Sequence, residues 1–223
     1  MQVAALATGG KDSVLAIYHA LKTGYDVKCL ATMIPLKEDS WMFHYPNIGL
    51  IDLFAEALGI PVVKAETNAV KEEEVEDLKH LIEKLDVEGL VSGAIASTYQ
   101  KTRIEKICNQ LGLKSITPLW RKNPLDILEE LLDLKIEPII TGAYAYGFSE
   151  EWLGRKIDEA TIADLIELNR KYGTSFVGEG GEYETFVLDA PIFKKKIQIV
   201  KSKKIWKNES GHLQIIEAVL KDK

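Results

Sequence analysis

Thr8-Gly9-Gly10-Lys11-Asp12-Ser13 is the part of the chain best equipped for chemistry. It follows a short apolar run, Val3 to Ala7, and precedes Val14, Ile17, Tyr18 and Leu21, which are spaced as one face of a helix. Adjacent glycines let the backbone turn tightly and aim its N–H groups at an anion. The helix that follows adds its dipole and its unpaired N–H groups. The hydroxyls of Thr8 and Ser13 can donate to phosphate oxygens. Lys11 supplies a point charge able to follow transferring phosphates, and Asp12 a carboxylate able to hold Mg²⁺ directly or through water. A polar, capped strand-to-helix turn has a similar composition, so the loop alone does not decide. It is neither a Walker A loop nor a GxGxxG turn.

Two further segments carry chemical groups. Ser92-Gly93-Ala94-Ile95-Ala96-Ser97 ends an expected strand and is rich in small and hydroxyl residues, which suits close approach to a ribose or phosphate. Gln100 and Arg103 follow on the first turns of the next helix. Arg103 can neutralise a polyphosphate or a substrate carboxylate, or simply pair with Glu105 or a neighbouring helix. In the third segment Gly178, Gly180 and Gly181 flank Glu179, Glu182 and Glu184. Tyr183, Phe186, Val187 and Leu188 are too apolar for a free loop, so the segment reads as a turn leading into a buried strand. Carboxylates beside such a strand make a negative pocket for Mg²⁺, ammonium or a cationic substrate. His44 falls in a loop facing the same crevice, whereas His19, His80 and His212 show no metal spacing. Glu72-Glu73-Glu74 reads as a solvated helix face. Lys194 to Lys196 and Lys201 to Lys204 either solubilise a hairpin or contact an acidic partner.

The elements that must position these residues alternate through the first half. Strands are expected at 3–7, 27–34, 62–65, 89–92 and 114–116, with helices from Ser13, over 48–58, over 70–85 and from Ile104 to Leu111. That rhythm means parallel βαβ units with right-handed crossovers and helices on both faces, a Rossmann-type α/β domain. Ligands of such sheets lie beyond the strands' carboxyl ends, at loops 8–13, 33–47 and 92–100. After Pro118 the pattern loosens into a smaller α+β domain. It has a helix over 125–134, a strand over 136–141, a helix capped by Asp158 and ending at Tyr172, and a terminal hairpin around Asn208-Glu209-Ser210-Gly211. Residues 1–120 are expected to form the nucleotide domain and 121–223 the second.

Composition narrows the classes. The 223 residues are 46% hydrophobic and 28% charged, which excludes disordered and fibrous chains. A net charge of −6 argues against a basic nucleic-acid coat. Cys29 and Cys108 form no CxxC pair, and a reducing cytoplasm is the simpler reading. No apolar run is long enough for a membrane span, and the N-terminus lacks the basic start of a targeting peptide.

Thr8 to Ser13 resembles the PP-loop, SGGxDS, of the ATP pyrophosphatases, with Thr in place of the usual Ser and the hydroxyl kept. Segments 92–105 and 178–186, with Pro118-Leu119-Trp120 and Met42-Phe43-His44, resemble the signature segments of the diphthine–ammonia ligase family, in its short archaeal form. The likeness runs from residue 3 to about 193. It implies a HUP-type nucleotide domain and ATP as cofactor with Mg²⁺ at Asp12. It implies cleavage between the α and β phosphates, with Thr8, Gly9, Gly10, Lys11, Asp12, Ser13, Ser92, Gly93 and Ser97 at the nucleotide and Met33 at adenine. It further implies that a diphthine carboxylate on translation elongation factor 2 is activated and converted to an amide with ammonium. Lys11, Asp12, Arg103 and Glu182 would serve catalysis. His44, Gln100, Glu179, Glu182, Tyr183 and Glu184 would face the substrate, whose trimethylammonium calls for negative or aromatic surroundings. The residues alone leave two alternatives: another PP-loop enzyme acting on tRNA, and a non-catalytic nucleotide-binding module.

Overall fold

The structure is a computed structural model that describes residues 1–36, 47–68, 70 and 72–223. Five parallel strands form the first sheet: β1 (Gln2–Leu6), β2 (Asp26–Pro35), β3 (Val62–Thr67), β4 (Gly89–Val91) and β5 (Lys114–Ile116), in the order β3-β2-β1-β4-β5. Its helices are α1 (Lys11–Lys22), α2 (Ile51–Leu58), α3 (Glu73–Glu83) and α4 (Thr98–Leu111). They cover both faces. Val3 and Ala5 of β1 point into the core shared with α1 and α2, while Ala4 points into the one shared with α3 and α4. This alternation is the two-residue period of a strand buried on both sides. Strand order reverses between β1 and its two neighbours, β2 and β4, which opens a crevice at the carboxyl ends of β1 and β4.

The second sheet is antiparallel: β6 (Glu137–Ala143), β7 (Tyr183–Asp189), β8 (Lys196–Lys207) and β9 (Ser210–Lys221), in the order β7-β6-β9-β8. Helix α5 (Pro124–Asp133) leads into it. It starts on an Asn123 cap, with proline at the first helical position, where a missing N–H costs nothing. Helix α6 (Glu159–Tyr172) is capped by Asp158, whose carboxylate accepts the Thr161 N–H at 2.8 Å. The terminal hairpin expected around Asn208 is β8–β9, with Lys207 opposite Ser210.

One continuous apolar core joins the α1–α2 face of the first sheet to the second sheet. Phe54 of α2 is its hinge stone, with ring centroids 6.3 Å from Phe186 and 5.5 Å from Phe193. A single expectation about a helix face fails: Glu74 is 0% exposed, and the acidic run at the start of α3 is not a uniformly solvated face. The helix is entered through Glu72 at φ 72°; Glu73 stays exposed, while Glu74 shares the buried face with Val75 and Leu78.

Candidate active site

The crevice is lined by the three segments marked in the sequence, which the fold brings together. Loop 8–13 links β1 to α1 and lies along the free edge of β7. The Val187 N–H donates to the Gly9 carbonyl at 2.9 Å, and the Lys11 N–H donates to the Thr185 hydroxyl at 3.1 Å. Gly9 has φ +82°, and a Cβ there would stand 2.7 Å from the Phe186 ring. Glycine is therefore required twice, for the left-handed turn and for the close approach of β7. Ser13 turns its hydroxyl back to the Gly10 carbonyl at 2.9 Å, and Thr8 is half-buried beside Gly10.

Lys11 is 2% exposed. Its ammonium donates to Asp12 Oδ2 at 2.9 Å and to the Val177 carbonyl at 2.5 Å, and lies 5.2 Å from the centre of the Tyr183 ring. Tyr183 is itself buried and donates its hydroxyl to the Phe176 carbonyl at 2.7 Å. Burial, reinforced by the charges of Asp12 and Glu182, pushes its phenol well above the usual range, so the hydroxyl stays a donor. Its ring faces Lys11, a partner the sequence did not indicate.

The second loop approaches from β4. A Cβ on Gly93 would sit 2.7 Å from the Asp12 carbonyl carbon, so only glycine lets the two loops touch. Ser92 is buried, and its hydroxyl has no partner among the described residues. Ser97 caps α4, accepting the Gln100 N–H at 3.3 Å. Arg103 stacks on Tyr99, its guanidinium carbon 3.4 Å from the ring centre, and pairs with Glu72 at the start of α3. Glu105, one of the partners the sequence offered for Arg103, pairs with Lys101 instead. Met33 is 1% exposed among Val75, Leu78 and Ile104 in the core beneath α3 and α4. His44, with Met42 and Phe43, lies outside the described residues.

The acidic segment is divided in its use. Glu179 accepts the N–H groups of Ile95, Ala96 and Ser97 on one carboxylate oxygen. Glu182 curls over Gly180 and accepts the Ser175 N–H at 3.2 Å through Oε1. Its Oε2 is buried without a partner among the described residues. Glu184 meets the Tyr144 hydroxyl at 3.5 Å, and the Tyr144 N–H donates to the Glu182 carbonyl at 2.8 Å. Val177, Thr185 and Tyr144 were not singled out from sequence. Thr185 stood inside the acidic motif, but only the fold shows its hydroxyl reaching loop 8–13. No group of three or more metal-ligating side chains occurs among the described residues.

A glycine-rich loop at a helix N-terminus, facing an acidic strand from a second sheet, defines a two-domain protein of the nucleotide-binding α/β class. The diphthamide synthase N-terminal domain matches residues 1–115 and the diphthamide synthase C-terminal domain residues 123–220. The diphthine–ammonia ligase of Bos taurus is 36% identical over 251 residues, spanning 100% of this chain and 94% of that one. That of Rattus norvegicus is 39% identical over 222 residues, covering 89% and 83%. That of Schizosaccharomyces pombe is 34% identical and matches 100% of this chain but 40% of its own length. The chain belongs to the diphthamide synthase family.

Proposed function

We propose that this chain is an ATP-dependent amide ligase, converting diphthine on translation elongation factor 2 to diphthamide with ammonium. The carboxylate oxygen of the substrate attacks the α phosphorus of ATP, the bond to the β phosphate breaks, and pyrophosphate leaves. Ammonia, formed when ammonium gives up a proton, then attacks the acyl carbon and AMP departs. The observation that carries this reading is the docking of the acidic segment onto loop 8–13, through Val187 and Thr185.

The loop's residues fit ATP by type: a glycine pair at the start of α1, with the hydroxyls of Thr8 and Ser13, the latter held on the Gly10 carbonyl. Magnesium that travels with a nucleotide takes one or two carboxylates rather than a protein cage, and Asp12 fits that need. When bound, the ion would neutralise phosphate charge. Lys11 and Asp12 would then hold the polyphosphate in place, and Glu182 with Glu184 would face the cationic part of the substrate or the incoming ammonium. Gln100, Ser97 and Arg103 at the start of α4 would order the substrate side of the crevice. A cytoplasmic setting agrees with the two buried free thiols, Cys29 and Cys108, and none of the described helices is long and apolar enough to cross a membrane.

The test incubates the protein with ATP, ammonium and diphthine-bearing elongation factor 2, with unmodified factor and tRNA as controls. AMP, pyrophosphate and amide should form with the diphthine-bearing factor alone. ADP and phosphate, or turnover driven by tRNA, would overturn the proposal.

A further inference from the structure

The Glu179 Oε1 atom accepts three successive backbone N–H groups: Ile95 at 3.0 Å, Ala96, and Ser97 at 2.7 Å. These donors lead directly into α4, whose dipole favours an anion at that end. The loop they form is the one whose Gly93 packs on Asp12. The same acidic segment is fastened to the nucleotide loop a few residues later, through the Thr185 hydroxyl on the Lys11 N–H and the Val187 N–H on Gly9. Glu182 and Tyr183 lie between the two fastenings, and Tyr183 is the ring over Lys11.

We infer that Glu179 is a positioning residue: it latches segment 178–186 onto loop 95–97 and so holds Glu182 and Tyr183 against the nucleotide loop. This role, which rests on the proposed ligase reaction, differs from the substrate contact that the sequence suggested for Glu179. A single oxygen makes all three bonds, so the latch rests on an acceptor at that atom, which the carboxylate charge strengthens but does not supply. Glutamine carries the same acceptor on the same stem, and alanine carries none. A residue that binds ammonium or trimethylammonium would need the charge itself.

The experiment compares the full-length wild-type chain with Glu179→Gln and Glu179→Ala. Amide hydrogen exchange is followed first, in ATP-free protein. The amides of residues 95–97 should exchange within about threefold of wild-type rates in Glu179→Gln and at least about tenfold faster in Glu179→Ala. In amide formation, Glu179→Ala should lose about 10²-fold in kcat, the scale of a misplaced catalytic group. Its KM for ATP should stay within about threefold, and Glu179→Gln should keep near-normal turnover. Equal losses in both variants would show that the charge is needed and overturn the latch. Unchanged exchange at 95–97 in Glu179→Ala would overturn it too, as would tighter ATP binding with turnover intact, which would make Glu179 a stand-in for a phosphate. A wild-type chain that forms no amide would refute the ligase reading, while the exchange comparison still decides the latch.

Discussion

The Lys11 ammonium donates to the Val177 carbonyl at 2.5 Å, a bond between the start of α1 and the chain just ahead of the acidic segment. Lys11 thus ties the start of α1 to the stretch that leads into β7, and to reach a phosphate it must loosen this bond or share it. Lys11→Met keeps the apolar stem and removes both the charge and the donor. Amide turnover should fall at least about 10²-fold, and stability by about 1–3 kcal/mol because the Val177 carbonyl is left unpaired. Turnover assays and urea midpoints check the two effects separately. A stable but inactive variant would assign Lys11 to phosphates alone.

Asp12 sits beside that lysine with a third of its side chain exposed. As the nucleotide's carboxylate it is expected to act on rate: Asp12→Ala should retain its fold by circular dichroism and lose at least about 10²-fold in turnover. Near-normal rates would reduce Asp12 to a partner of Lys11.

Gly9→Ala adds a methyl group where φ is +82° and the Phe186 ring would stand 2.7 Å away. Strain and clash together should remove about 1–3 kcal/mol of stability. Shrinking the obstacle, in Gly9→Ala with Phe186→Leu, should recover part of it in a double-mutant cycle. Additive losses in that cycle would mean that the ring is not what the methyl meets.

Glu182 holds the Ser175 N–H with one oxygen and buries the other. Glu182→Gln preserves the first contact and removes the charge. ATP affinity, measured by calorimetry, should stay near wild type while amide formation collapses. Loss of ATP binding with normal binding of the diphthine-bearing factor would place this carboxylate at the metal–nucleotide instead.

Burial raises the Cys108 thiol from an ordinary value of 9.0 to about 11. At pH 8 the folded protein should therefore leave Cys108 unalkylated by iodoacetamide over hours. Between about pH 9 and 11 the unfolded chain releases this proton and the folded chain keeps it, so stability should fall as pH rises through that window. Comparing urea midpoints at pH 8 and 10 with those of Cys108→Ala isolates the contribution, and an identical pH slope in both proteins would remove it.

Local signals made most of the scaffold legible. The glycine pair at 9–10, the periodic face of α1 and the Asp158 cap each act within a few residues of themselves, and each element formed where its pattern lay. The partners within the site did not follow from sequence, because they are joined across the fold. Glu179 and Ile95 are 84 positions apart, Lys11 and Val177 are 166 apart, and no periodicity links them. Tyr183 shows the limit clearly. Its type fits an aromatic wall for a cation, and nothing in the pattern of residues pointed to Lys11, 172 positions earlier, as the cation that faces it here. The glutamate run at 72–74 looks solvated as a composition, but Glu74 falls on the helical face that Val75 and Leu78 bury.

Strand β7 ends its sheet, and an uncovered strand edge is a template on which another chain can pair. Here the Gly9 carbonyl occupies that edge at Val187. The loop that would grip a nucleotide thus also covers part of the edge on which another strand could pair. A substitution that frees the loop would therefore bare a pairing edge as well as open the crevice, and light scattering would register it beside the activity assay.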